Sequence, residues 1–134
     1  MATEETVRQQ VITQIESILS GKVRIYQNLG DIEDVDSLPA EFVIVELFAE
    51  GGQKLTVGLN SLIKYTGFFV VTHYNLKRSG MSGFNTLRDT LIATFQDTTI
   101  ADRIEYSAYR SGYIGESLNK KHYVVETIFD YKYY

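Results

Sequence analysis

The sequence has no cysteine, no tryptophan, a single proline and only two histidines. Without cysteine there is no disulfide framework, no thiolate metal site and no cysteine nucleophile. No apolar run approaches the ~20 residues that a helix needs to cross a bilayer. A concentrated Lys/Arg surface of the kind that neutralises nucleic-acid phosphates is also missing, the formal net charge being -4. The opening MATEETVRQQ is acidic and polar where a secretory signal has a basic start and an apolar block, so a cytoplasmic product is expected.

What is present suits one domain with one core: 134 residues, 44% hydrophobic and 22% charged. Charge is unevenly spread. Residues 1–60 carry four Lys/Arg against ten Asp/Glu, and residues 61–134 carry nine against seven, so the halves have opposite sign. Opposite halves favour like molecules meeting head to tail if folding puts them on different surfaces, and mean nothing if it mixes them.

Hydrophobic spacing gives the elements. Val7, Val11, Ile15 and Ile18, with Ile12 and Leu19, make a helical stripe. Thr3 is its cap, Glu4 and Glu5 suit its first turn, and Gly21 offers a left-handed exit. KVRIY reads as a short strand and EFVIVELF, Glu41–Phe48, as a central strand covered on both faces, or covered on one and buried in an assembly, entered after Pro39. AEGGQK reads as a tight connection, LTVGL and LIKYTGFFVVTHY as further β structure with a bend at Gly67. Phe84, Leu87, Leu91, Ile92 and Phe95 make a second helix capped by Ser82. The last third reads as two strands joined by a glycine- and serine-bearing turn in SGYIGESLNK. In the final strand Tyr123, Val125, Thr127, Phe129 and Tyr131 share one face, and His122, Val124, Glu126, Ile128, Asp130 and Lys132 the other. The expected fold is α+β, a mainly antiparallel sheet with two helices on one face, in the order α-β-β-β-α-β-β over residues 1–134.

Four features of the sequence have the outline of a chemical site. The strand, loop and helix around KRSGMSGF resemble a phosphate loop in outline, but Phe84 stands where the P-loop has lysine. Gly80 and Gly83 satisfy a bare GxxG, yet that element joins two helices in KH domains and here follows a strand. Lys77 and Arg78 could meet an anion at the helix start, but a surface loop used in protein contact is the better reading. Asp31, Glu33, Asp34 and Asp36 lack the EF-hand frame and read as a solvated acidic loop. His73 lies on the strand face of Tyr65, Phe69 and Val71, where a lone imidazole is more often structural than catalytic. No GxSxG or HExxH is present. No catalytic residue, metal site or cofactor is therefore expected.

Tyrosine is the anomaly of composition. There are ten, seven of them beyond residue 105, and the chain ends DYKYY. Tyrosine is enriched at protein interfaces and also in strands.

The amphipathic ETVRQQVITQIESIL, the strand LPAEFVIVELF, the long strand KYTGFFVVTHYNLKRSG leading into F..LRDTLIATF, and the ending RSGYIGESLNKKHYVVETIFDYKY together resemble the tail terminator (tail completion) proteins of long-tailed bacteriophages. The resemblance covers nearly the whole chain through patterns of shape. It departs in the missing tryptophan and scarce proline. It implies a structural virion protein without catalytic signature. Such proteins form a homomeric ring, usually of six, that caps the head-proximal end of the tail tube. The ring would touch tail tube protein on one face and a neck or head-completion protein on the other. DNA would pass through its lumen without specific binding, and the protein would be assembled in the host cytoplasm. Head–tail connector or neck proteins are the nearest alternative, and a small anion- or nucleotide-binding module a more distant one. The implied contacts lie at residues 31–36, 50–56, 77–83 and 111–120, with Asp31, Glu33, Asp34, Asp36, Lys54, Lys77, Arg78, Tyr113, Lys120, Tyr131, Tyr133 and Tyr134 as interface candidates.

Overall fold

A computed structural model describes residues 3–21, 23–27, 39–54, 63–77, 82–96, 98–100, 104–116 and 121–134. Helix α1 runs Glu4–Leu19, followed by β1 (Arg24–Tyr26), β2 (Glu41–Lys54) and β3 (Ile63–Leu76). Helix α2 (Ser82–Phe95) then leads to β4 (Thr98–Ile100), β5 (Ile104–Glu116) and β6 (His122–Tyr133). Six strands form one sheet in the order β1-β2-β3-β6-β5-β4. Only the β1–β2 pair is parallel. This is the α+β domain the periodicities predict, with a short extra strand, β4, after α2.

Local chemistry explains both helices. The Thr6 backbone N–H donates to Thr3 Oγ1 at 3.2 Å, satisfying one of the donors a helix start leaves unpaired. The left-handed exit of α1 begins one residue earlier than Gly21, at Ser20, whose φ is 54° and whose N–H donates to the Glu16 carbonyl at 2.9 Å. Val7, Val11, Ile12 and Ile15 are buried along α1, and Phe84, Leu87, Leu91 and Phe95 along α2. Ser82, expected as a cap, is the first residue of α2 itself.

Both helices cover one face of the sheet. Their stripes meet Val43 and Val45 of β2, Phe69 and Val71 of β3, Ile104 and Tyr106 of β5, and Phe129, Tyr131 and Tyr133 of β6. Phe69 sits at the centre, with ring centroids of Phe95, Phe129 and Tyr106 between 5.0 and 5.8 Å away. Stacked and edge-on rings of this kind add to the area they bury.

The opposite face is covered only in part. Phe42 stacks on Tyr74 with centroids 4.4 Å apart, and meets Tyr26 and His122 edge-on. His122 Nε2 donates to the Pro39 carbonyl at 2.9 Å. Phe42 and Ile44 are both buried although they point away from the helices. Of the two readings of Glu41–Phe48, cover on both faces holds for its first half, while Phe48, on that same face, is 43% exposed, so the second half is covered once within the subunit.

Two stretches expected as turns are strand. AEGGQK continues β2, the register shifting between Ala49 and Gly51, where Gly51 has φ 117°. SGYIGE continues β5 through a second irregularity between Tyr113 and Gly115, φ 134°. Positive φ serves a bulge as readily as a turn, and the ladder with a long partner strand selects the bulge. LTVGL lies outside the described residues. At Gly67 the reason for glycine is close approach: a Cβ would stand 2.6 Å from the Phe48 carbonyl oxygen and collide with the Tyr131 hydroxyl.

Candidate interaction surface

The sheet brings together titratable groups that lie far apart in sequence. Antiparallel pairing sets Glu41 opposite Asn75, which puts His73 on the same face two residues away. Asn75 Nδ2 donates to Glu41 Oε2 at 2.8 Å, and His73 Nε2 lies 3.5 Å from the same oxygen. His73 is 4% exposed, with the Phe84 ring edge-on at 4.7 Å. Burial lowers the imidazole's pKa, and the Glu41 carboxylate only partly opposes this, so the ring is neutral at pH 7. The start of α2 closes over the group, since a Cβ at Gly83 would lie 3.3 Å from Asn75 Nδ2. Histidine and carboxylate are brought close, but the geometry makes no hydrogen bond between them and neither faces a nucleophile among the described residues; α2 meets the group through the packed Phe84 ring. The strand register was the signal for this pairing, and residue spacing alone concealed it.

Three tyrosines of the last third, Tyr106, Tyr131 and Tyr133, are spent inside the subunit. The Tyr131 hydroxyl donates to Glu4 Oε2 at 2.6 Å and the Tyr133 hydroxyl to Glu4 Oε1 at 3.2 Å. The Tyr106 hydroxyl donates to Gln10 Oε1 at 2.7 Å. Burial raises all three phenol pKa values, and for Tyr131 and Tyr133 the Glu4 carboxylate adds to the effect. Tyr131 and Tyr133, named as contact candidates, are buried rings that clamp β6 under α1, while Tyr134 is half-buried.

On the face away from the helices lies an open depression of about 540 Å³, lined by Glu50, Lys64, Phe68, Arg110, Asp130 and Lys132 among others. Its charges answer one another. Lys132 Nζ is 3.1 Å from Glu105 Oε2, which raises the lysine pKa, and Arg110 Nη2 is 3.8 Å from Asp130 Oδ1. Balanced pairs at a rim leave little net field for a small anion. Among the described residues no group of His, Cys, Asp or Glu is arranged to hold a metal.

The exposed large hydrophobic residues among those described are Phe48, Ile63 and Tyr109. All three stand on the long outer strands or at the end of the β2–β3 arm, where Ile63 pairs with Lys54. Of the other sequence candidates, Lys77 follows β3 with its ammonium 5.8 Å from the Tyr123 ring centroid. Lys54 and Tyr113 are placed by their backbone in β2 and β5. Asp31, Glu33, Asp34, Asp36, Arg78 and Lys120 lie outside the described residues. Sequence reasoning named the 50–56 and 111–120 regions but missed Phe48, Ile63, Glu46, Tyr109 and Arg110, which alternation along the strands would have exposed had both strands been extended.

No described helix is long and apolar enough to cross a membrane. The sequence matches no protein-family model and no curated protein at a significant level.

Proposed function

We propose that this protein is a structural subunit of a bacteriophage tail, a terminator whose ring caps the head-proximal end of the tail tube and joins it to the neck. One observation carries the assembly part of this reading. Among the described residues, the exposed large apolar side chains Phe48 and Tyr109 stand on β2 and β5, whose outer sides are only partly paired, and Ile63 at the end of β3, while the imidazole of the best-placed acid–base group, His73 with Glu41, is buried under Phe84 of α2. A subunit whose uncovered apolar surface lies along strand edges gains stability from a protein partner. The tail assignment adds the whole-chain resemblance of helix, long strands and aromatic last strand to the terminator family.

On this reading the protein acts by geometry. Copies close into a ring, one face of the ring ends growth of the tail tube, and the other receives a neck protein. DNA passes through without phosphate-neutralising contacts, in keeping with a net charge of -4.

The test mixes the purified protein with the tail tube protein of the same phage and images the product by negative-stain electron microscopy. Tubes of limited length with extra density at one end are the expected result. Tubes that grow without a cap, with this protein left in the unbound fraction, would refute the assignment. A cap found only on the capsid portal would instead identify a connector.

A further inference from the structure

We infer that copies of this chain join edge to edge, the free edge of β2 in one copy pairing with the free edge of β5 in the next, to make one continuous antiparallel sheet. This gives the assembly reading its contact surface and rests on the self-associating part of it.

Among the described residues both edges are long and largely unpaired. β1 covers β2 only at Phe42–Ile44, and β4 covers β5 only at Ile104–Tyr106. Among the described residues, Val45–Lys54 and Ser107–Glu116 therefore have no ladder partner on their outer sides, and the free runs match in length. Positions 48–52 and 109–112 along these runs are exposed. Unpaired backbone on a long strand is a template for another strand, and Phe48 and Tyr109 mark these two edges with exposed apolar surface. Where β1 stops, a groove of about 210 Å³ opens along β2 between Val45, Leu47 and the α1 residues Arg8 and Ile12.

Direction and charge select which edges meet. β2 is antiparallel to β3, β3 to β6 and β6 to β5, so β5 runs opposite to β2. Rotation about an axis near the strand direction preserves these senses, so the next copy's β2 arrives antiparallel to β5 without reversal. Levelling the two free runs needs a stagger of about five residues across the four strands β2, β3, β6 and β5. At about 3.3 Å per residue and about 4.8 Å per strand this is a tilt of roughly 40°, within the range of closed sheets. Arg110, its side chain 62% exposed and only loosely held by Asp130, lies on the face away from the helices. Glu46, Phe48 and Glu50 of β2 border that same face. Pairing β2 with β5 brings Arg110 to these carboxylates, whereas two β2 edges oppose acid to acid and two β5 edges oppose arginine to arginine.

The absence of cysteine makes the test direct. Single variants Glu50→Cys and Arg110→Cys, with Phe48→Cys as a neighbouring register, are first shown to melt like wild type. They are then oxidised alone and in mixture. The expected result is a disulfide dimer containing one β2 variant and one Arg110→Cys chain, formed in mixture and absent from either alone. The double variant Glu50→Cys/Arg110→Cys should give a ladder of higher species. Arg110→Glu should weaken self-association about tenfold in sedimentation velocity, and adding Glu50→Arg to it should restore the wild-type value. Single variants that cross-link with themselves, no cross-link in any combination, or a wild-type chain still monomeric at about 1 mM would each overturn the inference. Cross-linked assemblies that fail to cap tail tubes would keep this contact and remove the terminator function. Capped tubes without the β2–β5 cross-link would do the reverse.

Discussion

The Tyr131 hydroxyl donates to Glu4 Oε2 at 2.6 Å, so the last strand of the chain is tied to the first turn of its first helix. The same carboxylate sits where the helix dipole favours an anion, and it also accepts from Tyr133. A single glutamate thus closes the fold across 127 positions of sequence.

Tyr131→Phe keeps the packed ring and removes this hydrogen bond to a charged acceptor. The expected loss is about 1.5 kcal/mol, read as a melting temperature lower by roughly 4 °C. An unchanged melting temperature would show that Tyr133 and water compensate fully.

Gly67→Ala should cost more. The added methyl meets Tyr131 on one side and the Phe48 carbonyl on the other, and the latter is backbone that cannot swing aside. Overpacking of this kind is expected to destabilise by about 2–3 kcal/mol, measured by urea unfolding with an unchanged m value.

Phe95→Ala removes a ring packed against Phe69, Tyr106 and Phe129. Its complete burial predicts a loss of about 3–5 kcal/mol from transfer and cavity contributions together. A loss under about 1 kcal/mol would mean that α2 does not hold the place described for it.

Acidification should act through His73. Burial lowers its pKa from the usual 6.5, so as pH falls through 6.5 the unfolded chain takes up a proton before the folded one does. The stability associated with the neutral ring is full above that pH and is lost below it, at up to about 1.4 kcal/mol per pH unit. His73→Gln removes the titrating group and should flatten the stability profile between pH 6.5 and 5, measured by urea unfolding across that range. An equally steep profile in the variant would place the acid sensitivity elsewhere.

Much of this architecture is legible along the chain. The stripe Val7, Val11, Ile15 and the stripe Phe84, Leu87, Leu91, Phe95 mark both helices, because helical burial repeats every three or four residues whatever the helix packs on. Alternation in β6 separates its two faces correctly for the same local reason. The continuations of β2 through Gly51 and of β5 through Gly115 were illegible, since a glycine with positive φ is equally at home in a turn, and only a paired neighbour shows that the strand goes on.

The sequence by itself determined the helices, the strand cores, the sidedness of the sheet and the absence of any local catalytic or metal-binding motif, because those properties depend on residue type and period. Tertiary structure decided that Glu4 meets Tyr131, that His73 lies beside Glu41, that Tyr106, Tyr131 and Tyr133 turn inward, and that, among the described residues, the outer sides of β2 and β5 stay largely unpaired. These depend on which distant segments pair and in what register, and that is set by how the whole chain buries its apolar surface at once.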